Sequence, residues 1–231
     1  MKTIGLIGGM SWESSIEYYR IINQGVREVL GGVHSAKCVM VSVDFGEIEV
    51  LQMKGDWDQA GKILVDCAAK LETAGADLIL ICTNTMHLLA EQVQRAVEIP
   101  LLHIADATAR AVRSAGLDSV GLLGTRFTME KDFYRGRLEA DHGLRVIIPD
   151  QAGRDLVHTV IYDELVQGQI REESRKGYLA VIEQLVEAGA QGIILGCTEI
   201  DLLIKESDSP VPVFDTMEIH ARAAVDEAFN L

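Results

Sequence analysis

One pattern in this chain occurs twice. Ala74-Gly75-Ala76-Asp77 followed by Leu78-Ile79-Leu80-Ile81-Cys82-Thr83-Asn84-Thr85 aligns without gaps with Ala188-Gly189-Ala190-Gln191 followed by Gly192-Ile193-Ile194-Leu195-Gly196-Cys197-Thr198-Glu199. Each copy is a short apolar run closed by small and polar residues, the pattern of a buried strand turning into a helix. Cys197 falls opposite Thr83, and Cys82 falls opposite Gly196. Two further pairs keep nearly the same offset: Ile4-Gly5-Leu6-Ile7-Gly8-Gly9 with Val120-Gly121-Leu122-Leu123-Gly124-Thr125, and Pro100-Leu101-Leu102-His103 with Pro212-Val213-Phe214-Asp215. An offset of 112 to 116 positions is too long for a solenoid unit and describes one domain duplicated.

Between these landmarks short apolar runs alternate with amphipathic stretches, the signature of a parallel sheet flanked by helices. The first half is expected to hold strands at 3–7, 37–44, 78–82 and 101–104, helices at 14–30, 58–73 and 88–97, and a polar connection over 47–57. The second is expected to hold strands at 120–125, 144–149, 192–195 and 212–215, with a long helical stretch at 155–188 that breaks near Gly168. The fold class is therefore α/β, with two pseudo-symmetric domains. Each is a mainly parallel four-stranded sheet flanked by helices, and the active site is expected in the cleft between them.

The 231 residues suffice for a sizeable core, and their net charge of -14 argues against nucleic acid or an anionic membrane as partner, because phosphates call for a basic surface. A soluble protein acting on a small molecule is expected, and an anionic substrate would need a local cluster of donors. No apolar run approaches the roughly 20 residues of a membrane span. The first nine residues read as a strand, not as a signal peptide. Cys38, Cys67, Cys82 and Cys197 are scattered, as reduced thiols of a cytoplasmic protein are. Cys38 and Cys67 read as buried spacers. Cys82 lies one residue inside its strand, where alternation turns it to the opposite face from Thr83. No second pair at ligand spacing accompanies Cys82 and His87, so no metal is expected and His87 reads as structural. Gly5-x-x-Gly8-Gly9 lacks the dinucleotide spacing and a Walker lysine, which makes it a tight turn.

In parallel sheets ligands sit at the carboxyl ends of the strands, which gathers the turns at residues 8–11, 83–85, 125–126 and 197–199. Cys197 and Thr83 are placed to flank one carbon atom. Helix starts behind both turns are expected to lower a thiol's pKa below its free value of about 8.5 and to supply backbone donors. Asn84, Thr85, Thr125 and Thr198 add neutral donors for a carboxylate. Loss of a proton beside that carboxylate makes an enediolate-like species, which fixed donors stabilise. A base on one face with an acid on the other inverts the centre. Lys54, Arg126, Lys131, Arg135 and Arg137 are the candidate partners for a distal carboxylate.

The motifs Gly8-Gly9-Met10-Ser11-Trp12-Glu13-Ser14, Cys82-Thr83-Asn84-Thr85-Met86-His87, Gly124-Thr125-Arg126-Phe127-Thr128-Met129-Glu130 and Gly196-Cys197-Thr198-Glu199-Ile200 resemble the aspartate/glutamate racemase family, in this order and over essentially the whole chain. The resemblance implies a racemase that needs no cofactor, PLP included, and forms a homodimer. It implies that a helix over 216–229 returns to the first domain, so that residues 1–104 with 215–231 form one domain and 105–214 the other. Cys197 takes the place of the family's second catalytic cysteine, while Thr83 stands where the first should be. Glu199, where glutamate racemases carry histidine, points to the aspartate branch. Substrate binding is implied for Met10, Gln52, Asn84, Thr85, Thr125, Thr198 and Glu199, with Gln52 at the substrate's distal end. Similarity to members specific for L-aspartate and L-glutamate implies Cys197 on the L face and Thr83 on the D face. The alternatives are a broad-specificity amino-acid racemase, a single-cysteine decarboxylase of the same superfamily, and an amino-acid-binding protein without chemistry.

Overall fold

The computed structural model describes residues 1–230. Its first part runs β1 (Ile4–Gly8), α1 (Trp12–Leu30), β2 (Cys38–Ser42), α2 (Phe45–Lys54), α3 (Trp57–Thr73), β3 (Leu78–Ile81) and the short α4 (Ala90–Gln94), with a 3-10 turn over Thr85–Leu89 ahead of α4. β1 and β3 are buried at every position, as strands covered on both faces must be. The sheet is parallel with order β2-β1-β3, and Ile7 lies beside both Val41 and Ile81. The carboxyl ends of the strands therefore finish level. β2 is an edge strand, which leaves Cys38 half-buried where a fully buried spacer was expected.

Local sequence explains the helices. Ser11 caps α1 by accepting from the Ser14 amide, and α1 then buries Tyr18, Ile21, Ile22 and Val26 on one side. Asp56 caps α3, which packs Leu64, Cys67, Ala68 and Leu71 onto the sheet. Two expectations fail here. The polar connection contains α2, started by Asp44 accepting from the Gly46 amide and stopped by left-handed Gly55. Only Ile48 and Gln52, one turn apart, are buried on α2, so its apolar stripe is too narrow to read as a helix. The strand expected at 101–104 shrinks to a single bridge between Ile79 and Leu101, because α5 (Ile104–Ser114) begins at once. The first sheet thus has three strands, not four.

The remaining elements are β4 (Ser119–Gly124), α6 (Arg126–Glu130), α7 (Arg135–Ala140), β5 (Arg145–Ile147), α8 (Gln151–Asp163), α9 (Glu172–Glu187), β6 (Ile193–Gly196), α10 (Ile200–Leu203), β7 (Val213–Asp215) and α11 (Thr216–Phe229). The long helical stretch divides into α8 and α9 around Gly168, whose left-handed φ of 71° ends a 3-10 turn. The second sheet is parallel with order β5-β4-β6-β7. That is the order of the first sheet, with β7 in the place of the Leu101 bridge, so the repeat in the sequence is a repeat in topology.

Met1–Ile104, with the segment from His220 on, forms one compact unit, and Ala105–Ile219 forms the other. The chain thus crosses twice, at the start of α5 and within α11. The late part of α11 packs on α1, where a Cβ on Gly25 would lie 3.1 Å from Val225 Cγ2. The Lys2 amide donates to the Ala228 carbonyl at 2.9 Å. Among the described residues no helix is long and apolar enough to cross a membrane.

Candidate active site

In the first unit the turn after β1 is built around Gly9. At φ 90°, a Cβ there would stand 2.2 Å from the Val43 carbonyl oxygen, so no other residue fits. Its amide donates to Ser15 Oγ at 2.8 Å, and that hydroxyl donates to the Ser11 carbonyl at 2.9 Å. The donor is committed inside a tight turn, not aimed at a phosphate. Met10 follows, 4% exposed. Just past the end of β3, Cys82 is fully buried, and desolvation pushes its thiol far above the usual range.

Thr83 is half-buried, whereas Asn84, Thr85 and Met86 beyond it are buried. Gln52 reaches the same turn from α2, its Nε2 lying 3.0 Å from Met86 Sδ. The structure thus brings Met10, Gln52, Thr83, Asn84 and Thr85 to the carboxyl edge of one sheet. His87 is also buried there, with Nδ1 2.8 Å from the Thr83 carbonyl oxygen.

In the second unit β4 and β6 end side by side, with Gly124 paired to Gly196. A Cβ on Gly196 would come within 2.8 Å of the Leu123 carbonyl, so glycine lets the two strand ends close up. Thr125 caps α6, accepting from the Thr128 amide. Cys197 is half-buried, and its thiol donates to Glu199 Oε2 at 3.1 Å. The Thr198 hydroxyl donates to the same oxygen at 2.8 Å. Thr125, Cys197, Thr198 and Glu199 therefore share the edge of the second sheet.

The Cys197 thiol does not follow the expectation of a lowered pKa. Burial and then the Glu199 carboxylate raise it well above normal, while the amides of Thr198 and Glu199 pull the other way without prevailing. The helix behind the turn explains why. α10 is a single turn and starts beyond Glu199, whereas the carboxylate is in direct contact with the sulfur.

One group at this edge has no role in the sequence-based expectations. Asp215, which β7 sets beside Leu195, has its carboxyl pushed up to about 6, chiefly by burial, with Asp201 adding to the rise and the Met217 amide opposing it. Its signals in the sequence are its place at the end of a repeated strand motif and immediately before a helix. Of the candidate cations, Arg137 is paired bidentately with Asp106 and Arg126 with Asp155, while Arg135 lies 3.8 Å from Glu139. Among the described residues no cluster of three His, Cys, Asp or Glu is placed to hold a metal ion.

Comparison with known proteins gives a consistent outcome. A protein from Yersinia pestis assigned provisionally as an Asp/Glu racemase has a solved structure that is 57% identical with a TM-score of 0.94, covering 99% of this chain and 100% of that one. An aspartate racemase homologue from Pyrococcus horikoshii OT3 is 36% identical with a TM-score of 0.85, again covering 99% and 100%. The broad specificity amino-acid racemase RacX of Bacillus subtilis is 25% identical over 177 residues, 74% of this chain and 73% of RacX. The Asp/Glu/hydantoin racemase family itself matches across residues 7–224, a span that takes in the turns after β1, β3, β4 and β6 alike. That match over residues 7–224, with the likeness to these racemase relatives, places the chain in the Asp/Glu/hydantoin racemase family, as an enzyme of the amino-acid racemase class.

Proposed function

We propose that the protein racemises aspartate or glutamate by 1,1-proton transfer at the α-carbon, without PLP, with Cys197 serving the L face and Thr83 the opposite one. The observation that carries this reading is the contact of 3.1 Å between the Cys197 thiol and the Glu199 carboxylate. A thiol this protonated is no base until it loses its proton, and Glu199 is placed to take it. The thiolate then removes the α-hydrogen of the L-enantiomer, and the electron pair left on carbon spreads into the substrate carboxylate. The Thr85 and Thr125 hydroxyls, with the Asn84 amide, are the donors suited to that charge, while Thr198, expected to join them, spends its own hydrogen on Glu199. Delivery of a proton from the Thr83 hydroxyl completes inversion; water then re-protonates Thr83, and the hydroxide so formed takes the proton held by Glu199, which returns the site to its starting state. Met10 and Gln52 complete the substrate contacts in this reading, with Gln52 toward the distal end. A homodimeric assembly and action in the cytoplasm belong to it as well.

A threonine hydroxyl is a far weaker acid-base group than a thiol, so the two faces are unequal. Because enantiomers have equal free energy, kcat/KM must still be equal in the two directions. Inequality shows instead in exchange: a carbanion formed by Cys197 recaptures a proton from the same face more often than it accepts one from Thr83. RacX, a broad specificity enzyme by name, supports the second reading of a wider amino-acid range.

Proton NMR in deuterium oxide tests both, following loss of the α-hydrogen signal from L- and D-aspartate, L- and D-glutamate and a set of neutral amino acids. Loss from an L-dicarboxylate that vanishes in Cys197→Ser is the expected result. Loss confined to neutral amino acids would establish the broader reading, and release of carbon dioxide from a malonate without any exchange would establish a decarboxylase.

A further inference from the structure

We propose that His87 is a positioning residue for Thr83, holding the Thr83 peptide by a bond tied to the point where the chain leaves the first unit; this rests on the racemase reading above. His87 is 2% exposed. One ring nitrogen, Nδ1, lies 2.8 Å from the Thr83 carbonyl oxygen, and the other, Nε2, lies 3.2 Å from the Ile104 amide nitrogen. A backbone amide can only donate, so Nε2 presents its lone pair. The ring is therefore neutral with its proton on Nδ1, and that proton is given to the Thr83 carbonyl.

This bond bears on Thr83 more than on the turn in general. Holding a carbonyl oxygen fixes the rotation of the peptide plane that follows Thr83. A β-branched side chain has few χ1 options once its backbone is set, so the direction of the Thr83 hydroxyl follows. The second bond is not local. Ile104 is the last residue of the first unit, the first of α5, and 17 positions away in sequence.

The ring itself is held in place. His103 meets it edge-on with centroids 4.6 Å apart, and His220 at 5.6 Å. His220 begins the returning segment and is fully buried. Its Nε2 lies 2.8 Å from the Leu102 carbonyl oxygen, to which it must donate, and its Nδ1 shares a hydrogen bond of 2.8 Å with the Tyr18 hydroxyl. Two imidazole rings near the crossings thus pack on the one ring that holds the Thr83 peptide. A space-filling role would need none of these polar partners.

Two variants separate the two bonds. His87→Asn keeps a donor near the position of Nδ1 but loses the bond to Ile104, whereas His87→Gln keeps an acceptor near Nε2 but loses the donor to Thr83. Both are compared with wild type in deuterium oxide, measuring α-hydrogen exchange by NMR and D-product by chiral chromatography from the L-amino acid that exchanges. The expected result is that His87→Gln still exchanges the L-enantiomer but forms D-product per exchange event about tenfold less often or worse, the size of effect that small misplacement of a reacting group has. His87→Asn should keep more of that ratio. Equal loss of exchange and product in both variants, or an unchanged ratio in His87→Gln, overturns the proposal.

Absence of exchange in the wild type would sink the racemase reading instead. His87 would then be judged by ¹⁵N and ¹³C NMR of the wild-type protein. A neutral Nδ1–H tautomer with a Thr83 carbonyl shift typical of a hydrogen-bonded acceptor sustains the hold on Thr83, and an Nε2–H tautomer refutes it. The same spectra decide the matter if the variants do not fold.

Discussion

Replacing Glu199 by glutamine keeps a hydrogen-bond acceptor beside Cys197 and removes the negative charge. Two consequences pull apart. The thiol loses a cause of its raised pKa, so the pH profile of Cys197 alkylation, followed by peptide mass spectrometry, should move downward. Turnover should nevertheless fall, by roughly 10²–10⁴-fold, because the group that accepts the thiol proton is gone. A profile that stays in place would show that burial alone sets the thiol. Thr83→Cys offers the complementary test: exchange from the D-enantiomer should rise, and an unchanged rate would count against Thr83 as the opposite-face group. Asp215 gives a pH prediction. Its folded-state pKa of about 6 lies above its unfolded value, so the stability linked to its protonation is fully present below about pH 4 and is lost as pH rises through 6. Asp215→Asn should remove that slope and, at pH 8, raise the unfolding free energy by roughly 1–2 kcal/mol in urea melts, discounted for partial exposure. Cys197 and Thr83 are legible as residues from the repeat, yet their ionisation is not. That depends on which charge touches the sulfur and how dry it is.

At the scale of elements, strands that are apolar throughout declare themselves, while elements with little apolar surface do not. α2 buries two residues and reads as a connection; Leu101 pairs at one bridge and reads as a strand. The turns are clearer, because glycine at a strand end marks backbone that leaves no room for a side chain. Gly9→Ala should destabilise the protein by about 2–4 kcal/mol in urea denaturation, since both the left-handed φ and the Val43 carbonyl oppose a Cβ. An effect below about 1 kcal/mol would mean that the turn relaxes and is not built as described. The expected helix starts behind the site are weak: a 3-10 turn after Thr83 and a single α-turn after Glu199 leave side-chain contacts, not helix dipoles, to set the chemistry.

On the scale of the whole molecule, the second crossing depends on α11 bringing His220 back to Leu102 and Tyr18. His220→Ala removes both bonds and buried volume, and should cost about 2–4 kcal/mol. Amide hydrogen exchange in β1 and β3 should quicken accordingly, whereas retention of wild-type protection would deny the helix this role. The sequence by itself determined the duplicated α/β plan, the repeated succession of its elements, and the four turns that carry polar residues, because apolar periodicity and glycine placement are properties of contiguous residues. Only the tertiary structure decided that Cys197 is hydrogen-bonded to Glu199, that the Asp215 carboxyl is raised to about 6, and that His87 joins Thr83 to Ile104. Those facts arise from burial and from contacts between side chains and distant backbone, where a change of one ångström alters which charge or lone pair a group meets, and no run of neighbouring letters encodes such a distance.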